Sequence, residues 1–527
     1  MTIVEMLARN ARMYPDESAL TELKPSQKIR REINWRIFDE RANRVANALA
    51  ARGVGKGDKV LHLMLNSINW LEAYFGIIRT GAWAVPLNFR FTSGDIKYCG
   101  DIAEAKAMIL GPEFVERVEA IRPQLATIKD YIFVGENTPQ DMESFEDFIA
   151  QASPEPLNEE LTLEDECGLY FTSGTTGDPK PILLTHKNME CAAVTEAKHH
   201  RLQHDDNFII IPPFYHTGSK MHWFGSLLVG GRAVILTEID PKAIFEAIHQ
   251  ERGTIVWLLV PWAQDILGAL DRGELKQKDY DLSSWRLMHM GAQPIPPSLI
   301  RRWKQYFPDM QYDTSYGLSE STGPGCVNLG IENNHKLEAT GRPGFNWEVR
   351  IVDDNGKDVG CGEVGELIVK GNGVMKCYYK NPQKTAEALR DGWLYTGDMA
   401  KMDDDGFIYI VDRKKDVIIT GGENIFPVEV ENIIRKHPKV HDVGVIGLPD
   451  ERLGEIACAV ITPRDGANLT EDDINKFCEQ NMPRYKRPRR IIFDKVPRNP
   501  TGKIEKPKMR QKYSGTQKSF KLGNESE

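Results

Sequence analysis

Residues 170–181, YFTSGTTGDPKP, carry the densest polar chemistry in the chain. Thr172, Ser173, Thr175 and Thr176 supply hydroxyls, Gly174 and Gly177 let the backbone turn and approach a ligand, and Lys180 adds a point charge. Exposed backbone N–H groups and hydroxyls donate to anionic oxygens, so the stretch predicts a loop that holds polyphosphate. It is not a Walker A loop, which needs G-x-x-x-x-G-K-[ST] with a helix directly after the lysine. Here Lys180 stands between two prolines, and residues 182–185 read as a strand. The plainer alternative, a polar hairpin turn, does not account for twelve residues in this order.

The run resembles the signature loop of the adenylate-forming superfamily, the acyl-CoA and aryl-CoA synthetases, luciferases and peptide-synthetase adenylation domains, whose pattern is close to T-S-G-T-T-G-x-P-K-G. The chain departs from it at Pro181, where glycine is usual. Proline fixes φ and removes an N–H, so a stiffer loop after Lys180 is expected.

Further segments match the family in order. Pro213-Phe214-Tyr215-His216-Thr217-Gly218 resembles its aromatic–histidine motif, which implies that His216 lines the acyl site. A lone histidine after a strand is more often structural; its place in the motif order favours the site. Gly291-Ala292-Gln293-Pro294 resembles the segment against which adenine lies, though a strand-end turn looks the same. Asp313-Thr314-Ser315-Tyr316-Gly317-Leu318-Ser319-Glu320 resembles Y-G-x-T-E, with Ser319 keeping the hydroxyl of the usual threonine. The resemblance implies Tyr316 over adenine, Ser319 at phosphate and Glu320 as a ligand of Mg²⁺, a hard cation that prefers oxygen. Asp398 and Arg413 match the ribose-binding pair, Lys415 the hinge, and Gly421-Gly422-Glu423 the loop lining the CoA tunnel. Lys503, in Pro497-Arg498-Asn499-Pro500-Thr501-Gly502-Lys503, matches the lysine of the adenylation step.

Elements of the right kind surround these residues. Residues 35–52 place Phe38, Ala42, Val45, Ala46 and Leu49 on one helical face. Strands are expected at 60–65, 82–86, 108–110 and 131–134, with a helix over 67–79; after the loop come strands at 208–211, 233–237 and 254–260 and a helix at 241–250. That alternation implies βαβ units and a parallel sheet. From residue 349 the texture changes to hairpins of a small barrel. Beyond about residue 412 a small α+β unit follows, and 514–527 read as a polar, disordered tail.

At 527 residues the chain exceeds one core, and two or more domains are expected. The expected fold is α/β: a large N-terminal domain of two α/β subdomains plus a small β-barrel over 1–412, a hinge at 413–415, and a small mobile α+β domain over 416–527. Net charge of −9 argues against nucleic acid as a partner. Eight scattered cysteines without C-x-x-C show no disulfide framework or zinc knuckle and fit a reducing cytoplasm. No apolar run reaches membrane-spanning length. His199, His200 and His204 lack a companion ligand motif and read as a polar helix end.

The family implies two steps: a carboxylate attacks the α-phosphorus of Mg-ATP, giving an acyl-adenylate and pyrophosphate, and the CoA thiolate then displaces AMP. Tyr215, Trp223 and Trp262 fall near segments that line the acyl pocket in relatives, which favours a compact aromatic or alicyclic acid. Short- or medium-chain fatty or carnitine-like acids, and transfer to a carrier protein in place of free CoA, remain alternatives. A luciferase-type oxygenase and a P-loop kinase would share parts of the pattern; the absence of G-x-S-x-G and H-E-x-x-H removes support for a hydrolase. Oligomeric state is open, with a homodimer as one possibility.

Overall fold

The computed structural model describes residues 1–172, 179–292, 295–323, 325–421, 423–498 and 503–514. They group into two compact units. One comprises Met1–Arg350, Ile368–Thr396 and Asp404–Tyr409; the other comprises Ile351–Leu367, Gly397–Asp403 and Ile410 to the C-terminus.

The first unit contains two large sheets. In the eight-stranded sheet, Trp83–Pro86, Lys59–Leu63, Ala107–Leu110 and Asp130–Phe133 pair in parallel, as the βαβ rhythm predicts. The helix Trp35–Ala51, capped by the Asn34 side chain, buries the predicted stripe from Phe38 to Leu49. It packs closely on Ile68–Arg79: a Cβ at Gly76 would lie 2.4 Å from Val45, so only glycine admits that approach. Glu166–Thr172 and Lys180–Thr185 extend this sheet as an antiparallel pair in which Thr172 faces Lys180. The predicted phosphate loop is thus the connection of a hairpin. Ser173, Gly174, Thr175, Thr176 and Gly177 lie outside the described residues.

Pro181 occupies a strand position opposite Phe171, and its carbonyl accepts from the Tyr379 N–H at 2.8 Å. The neighbouring strand Cys377–Tyr378 pairs with Leu183 and Ile182 and stops before Pro181. The lost donor therefore falls at the end of the ladder, where proline is tolerated.

The nine-stranded sheet holds the other nucleotide motifs. Gln311–Tyr316, Leu287–Met290, Ile255–Leu258, Asn207–Ile210 and Arg232–Leu236 run parallel, side by side. The N-terminal hairpin Ser18–Lys24 and Ile29–Asn34 completes the far edge. The charged residues of Ile29–Asn34 point to solvent there and hide any apolar alternation, so the sequence does not reveal this hairpin.

Where small-barrel hairpins are expected, Trp347–Val352, Gly365–Gly371, Trp393–Met402, Leu389–Arg390 and Ile408–Arg413 form a five-stranded sheet. Within the second unit, Val440–Asp450 and Gly454–Pro463 form a long antiparallel pair joined by Ile418–Thr420, Glu423–Ile425 and Arg490–Phe493. Alternate residues face opposite ways. Val443, Val445, Ala457 and Ala459 meet one helical layer, whereas Ile446, Leu448, Cys458 and Val460 meet Met509 and Tyr513 of the helix Lys506–Tyr513. Of the expected tail, 515–527 lie outside the described residues.

Candidate active site

Four adjacent parallel strands of the nine-stranded sheet end in candidate residues. Ile210 leads to Tyr215 and His216, Leu258 to Trp262, Met290 to Gly291 and Ala292, and Tyr316 to Gly317, Ser319 and Glu320. In an open α/β sheet, ligands bind beyond the carboxyl ends of the strands, where loops diverge and backbone groups are unpaired. Sequence order alone gives four separate motifs; strand order makes them neighbours.

His216 caps the helix Thr217–Val229, its Nδ1 accepting from Gly218 N at 3.1 Å. Thr217 Oγ1 lies 3.0 Å from Ser319 Oγ, tying the histidine motif to the tyrosine–glycine motif. Tyr215 packs edge-on against Phe89, and burial pushes its hydroxyl up to about 12. Ala292 takes φ +68, a left-handed turn directly after its strand. Gln293 lies outside the described residues. Glu320 accepts from the Tyr378 hydroxyl at 2.7 Å, and Lys180 lies 5.4 Å from the centre of the same ring. Lys180 and Tyr378 also line a cavity of about 170 Å³ with Tyr98, Asn381 and Lys384.

Three expectations need correction. Trp223 is fully buried and packs edge-on against Phe75; it belongs to the core, and the pocket set loses it. The Asp313 carboxylate is also fully buried, accepting from Gly330 N at 2.8 Å and lying 3.0 Å from His200 Nε2. It braces the strand behind Ser315 and Tyr316 and does not offer itself to a nucleotide. His200 is not a polar helix end. It sits fully buried between Glu196 and Asp313, each 3.0 Å from a ring nitrogen. Burial opposes its charge, but the two carboxylates outweigh burial and push the imidazole up to about 10. Trp262 is half-buried against the core of the nine-stranded sheet, and Thr314 is buried.

A buried lysine escapes sequence reading. Lys220 lies one turn after His216 with its ammonium 4.3 Å from the Tyr170 ring and 3.2 Å from the Phe214 carbonyl. Desolvation holds it well below its ordinary value. Tyr170 and Tyr74 share a hydrogen bond of 2.9 Å beside it, so the group fixes the strand that enters the phosphate loop. Its only sequence signal is a cation in an otherwise apolar helix.

In the second unit, Asp398 is buried and paired with Arg413, Nε to Oδ1, at 2.6 Å. Gly397 adopts φ +72 and donates to Glu366 Oε1 at 3.1 Å, while Lys414 reaches Glu366 at 3.0 Å. Lys415 is exposed in the turn Lys414–Asp416. Gly421, at φ +57, donates to Leu453 O, and Glu423 is exposed beside it; Gly422 lies outside the described residues. Lys503 is exposed on a segment pinned on both sides: Arg498 pairs with Asp442 at 2.7 Å, and buried Lys506 pairs with Glu431 at 3.1 Å. These two anchors do not stand out in the sequence.

Residues 7–379 match the family model of AMP-binding enzymes, and residues 429–503 match that of the AMP-binding enzyme C-terminal domain. The chain belongs to the AMP-binding, adenylate-forming enzyme family. Within it, the chain is an AMP-forming acid–thiol ligase, an acyl-CoA synthetase. It is 34% identical to a feruloyl-CoA synthase of Amycolatopsis sp, over 96% of this chain and 98% of that one. It is 32% identical to a long-chain-fatty-acid–CoA ligase, FadD13, of Mycobacterium tuberculosis, over 97% and 98%. The crystal structure of the anthranilate CoA ligase AuaEII with anthranoyl-AMP superposes with a TM-score of 0.88, at 28% identity and 97% coverage of both chains. Among the described residues, no helix is long and apolar enough to cross a membrane.

Proposed function

We propose that the chain activates a compact aromatic or alicyclic carboxylic acid with ATP and transfers it to free CoA. The observation that carries this reading is the convergence of His216, Gly291, Tyr316 and Glu320 at the carboxyl ends of neighbouring parallel strands. The half-buried Tyr215 and Trp262 beside them favour a short pocket. Two of the three relatives described are named for aromatic acids; FadD13, named for long-chain acids, is the counter-case.

In the first step a carboxylate oxygen attacks the α-phosphorus and pyrophosphate leaves. The loop ending in Lys180 holds the β- and γ-phosphates, and Lys503 meets charge developing on the α-phosphate. Asp398 and Arg413 hold the ribose, and Tyr316 covers adenine. Glu320, oriented by Tyr378 and close to the Ser319 hydroxyl, forms an oxygen donor set that suits Mg²⁺, which when bound supplies positive charge at the phosphates. In the second step the CoA thiolate, guided by the segment from Gly421 to Glu423, attacks the acyl carbon and AMP leaves. Residues 1–412 and 416–527 act as separate bodies about Lys415. A cytoplasmic enzyme fits substrates of this kind, and a homodimer is compatible with the reading.

A panel of acids tests it by AMP release with free CoA. Small cyclic acids are expected to exceed fatty acids. Each buried methylene is worth about 0.8 kcal/mol, so turnover that climbs with chain length past about eight carbons would reject the compact pocket.

A further inference from the structure

Three polar atoms converge on the bare α-carbon of Gly291. A Cβ built there would stand 3.7 Å from His289 Nε2, 3.7 Å from Trp257 Nε1 and 3.8 Å from the Ser315 carbonyl, the nearest atoms among the described residues. Trp257 is 2% exposed, and its indole N–H has no hydrogen-bond partner among those residues. An indole nitrogen can only donate, so the unmet need is an acceptor.

The second nitrogen at this place is a donor as well. His200 lies between Glu196 and Asp313, whose carboxylates favour its charged form, and its Nε2 stands 3.0 Å from Asp313 Oδ2. The same Nε2 lies 3.1 Å from His289 Nδ1, which accepts when His200 carries its proton there. Burial, with His222 and His200 nearby, lowers the His289 imidazole and favours its neutral form, and a neutral ring whose Nδ1 accepts from His200 carries its proton on Nε2, the atom beside Gly291. Ser315 Oγ, at 3.5 Å, is at the outer limit of a hydrogen bond and leaves that proton available.

Trp257 links this cradle to the candidate carboxylate site. A Cβ at Gly218 would lie 2.9 Å from Trp257 Cη2 and 3.0 Å from His216 Nδ1. The indole therefore reaches from the His216 turn at one end to Gly291 at the other. An acid whose carboxyl lies at His216 and whose ring follows the indole brings its far end to two N–H donors.

We propose that Trp257 and His289 bind an oxygen acceptor at the far end of the acyl group, so that the preferred substrate is an oxygenated cyclic carboxylic acid, bearing a ring hydroxyl or ketone. This rests on the acid–CoA ligase reading with His216 at the substrate carboxyl. A site built around unpaired donors discriminates by what it leaves unpaired when the oxygen is missing.

The test compares benzoate with its three hydroxy derivatives, and cyclohexanecarboxylate with its oxo derivatives, by kcat/KM for AMP release with CoA. At least one oxygenated acid should exceed its parent about tenfold or more. Trp257→Phe should bring that ratio towards one, and so should Gly291→Ala, which fills the cradle at a backbone position that alanine can adopt. Parent acids used as well as every derivative by the wild-type enzyme would overturn the inference and leave the ligase reading standing. So would a ratio that survives both substitutions, or a rise in KM for ATP alone in Gly291→Ala, which would assign the cradle to adenine. No AMP from any acid would overturn both readings.

Discussion

The Tyr378 hydroxyl donates to Glu320 at 2.7 Å while the Lys180 ammonium stands over the Tyr378 ring. One side chain thus relates the lysine of the phosphate loop to the candidate Mg²⁺ ligand, and Tyr378 lies 58 residues from that ligand in sequence. The short strand Cys377–Tyr378, paired with Lys180–Thr185, makes this possible by laying Tyr378 next to the loop.

Glu320→Gln should raise the Mg²⁺ concentration needed for half-maximal activity by about tenfold or more, because a carboxylate ligand is lost. Tyr378→Phe keeps the ring against Lys180 and removes only the hydroxyl, so a smaller, several-fold rise is expected. Magnesium titrations of both variants decide this. Unchanged midpoints would remove Glu320 from the metal.

His200 should make stability fall with rising pH. Its folded-state value of about 10 exceeds the ordinary 6.5, so the folded state holds the proton more tightly. The contribution is complete below about pH 6.5 and is lost as pH rises through about 10, with a slope of at most about 1.4 kcal/mol per pH unit. His200→Leu strands Glu196 and Asp313 without their cation and should cost about 3–5 kcal/mol near neutrality. Denaturant midpoints from pH 6 to 10 should converge between wild type and variant as pH rises. A constant gap would mean that His200 is not charged in the fold.

These buried groups mark where sequence reading stops. The helix 35–51 and the central parallel strands of both large sheets follow local rules of spacing and capping and are legible, whereas the N-terminal hairpin is not. Strand order was not: nothing local says that Tyr316, Gly291, Leu258 and Ile210 head adjacent strands. Burial of polar residues was not legible either. His200 looks like part of a polar tract because Glu196, Asp313 and His289 reach it only after the sheet forms. Trp223 looks like a pocket wall because aromatic residues serve both pockets and cores.

Lys503→Ala and Lys415→Pro should separate the two half-reactions in opposite ways. Lys503→Ala should abolish pyrophosphate release from ATP and acid yet largely spare thioester formation from supplied acyl-adenylate. Lys415 stands at the middle of the short turn Lys414–Asp416, where proline would fix φ at about −65°. Lys415→Pro should retain a single turnover of pyrophosphate and lose thioester formation from the adenylate. Equal losses in both half-reactions would withdraw Lys503 as the adenylation lysine; wild-type rates in both would place the hinge elsewhere.

The central claim is that a substrate carboxylate oxygen forms the bond to the α-phosphorus of ATP. Its most direct test supplies a turned-over acid labelled with ¹⁸O in both carboxyl oxygens, together with ATP and CoA, and weighs the products by mass spectrometry. The account requires one ¹⁸O in AMP, one in the acyl-CoA and none in pyrophosphate. Unlabelled AMP, or label recovered in inorganic phosphate beside ADP, would contradict it.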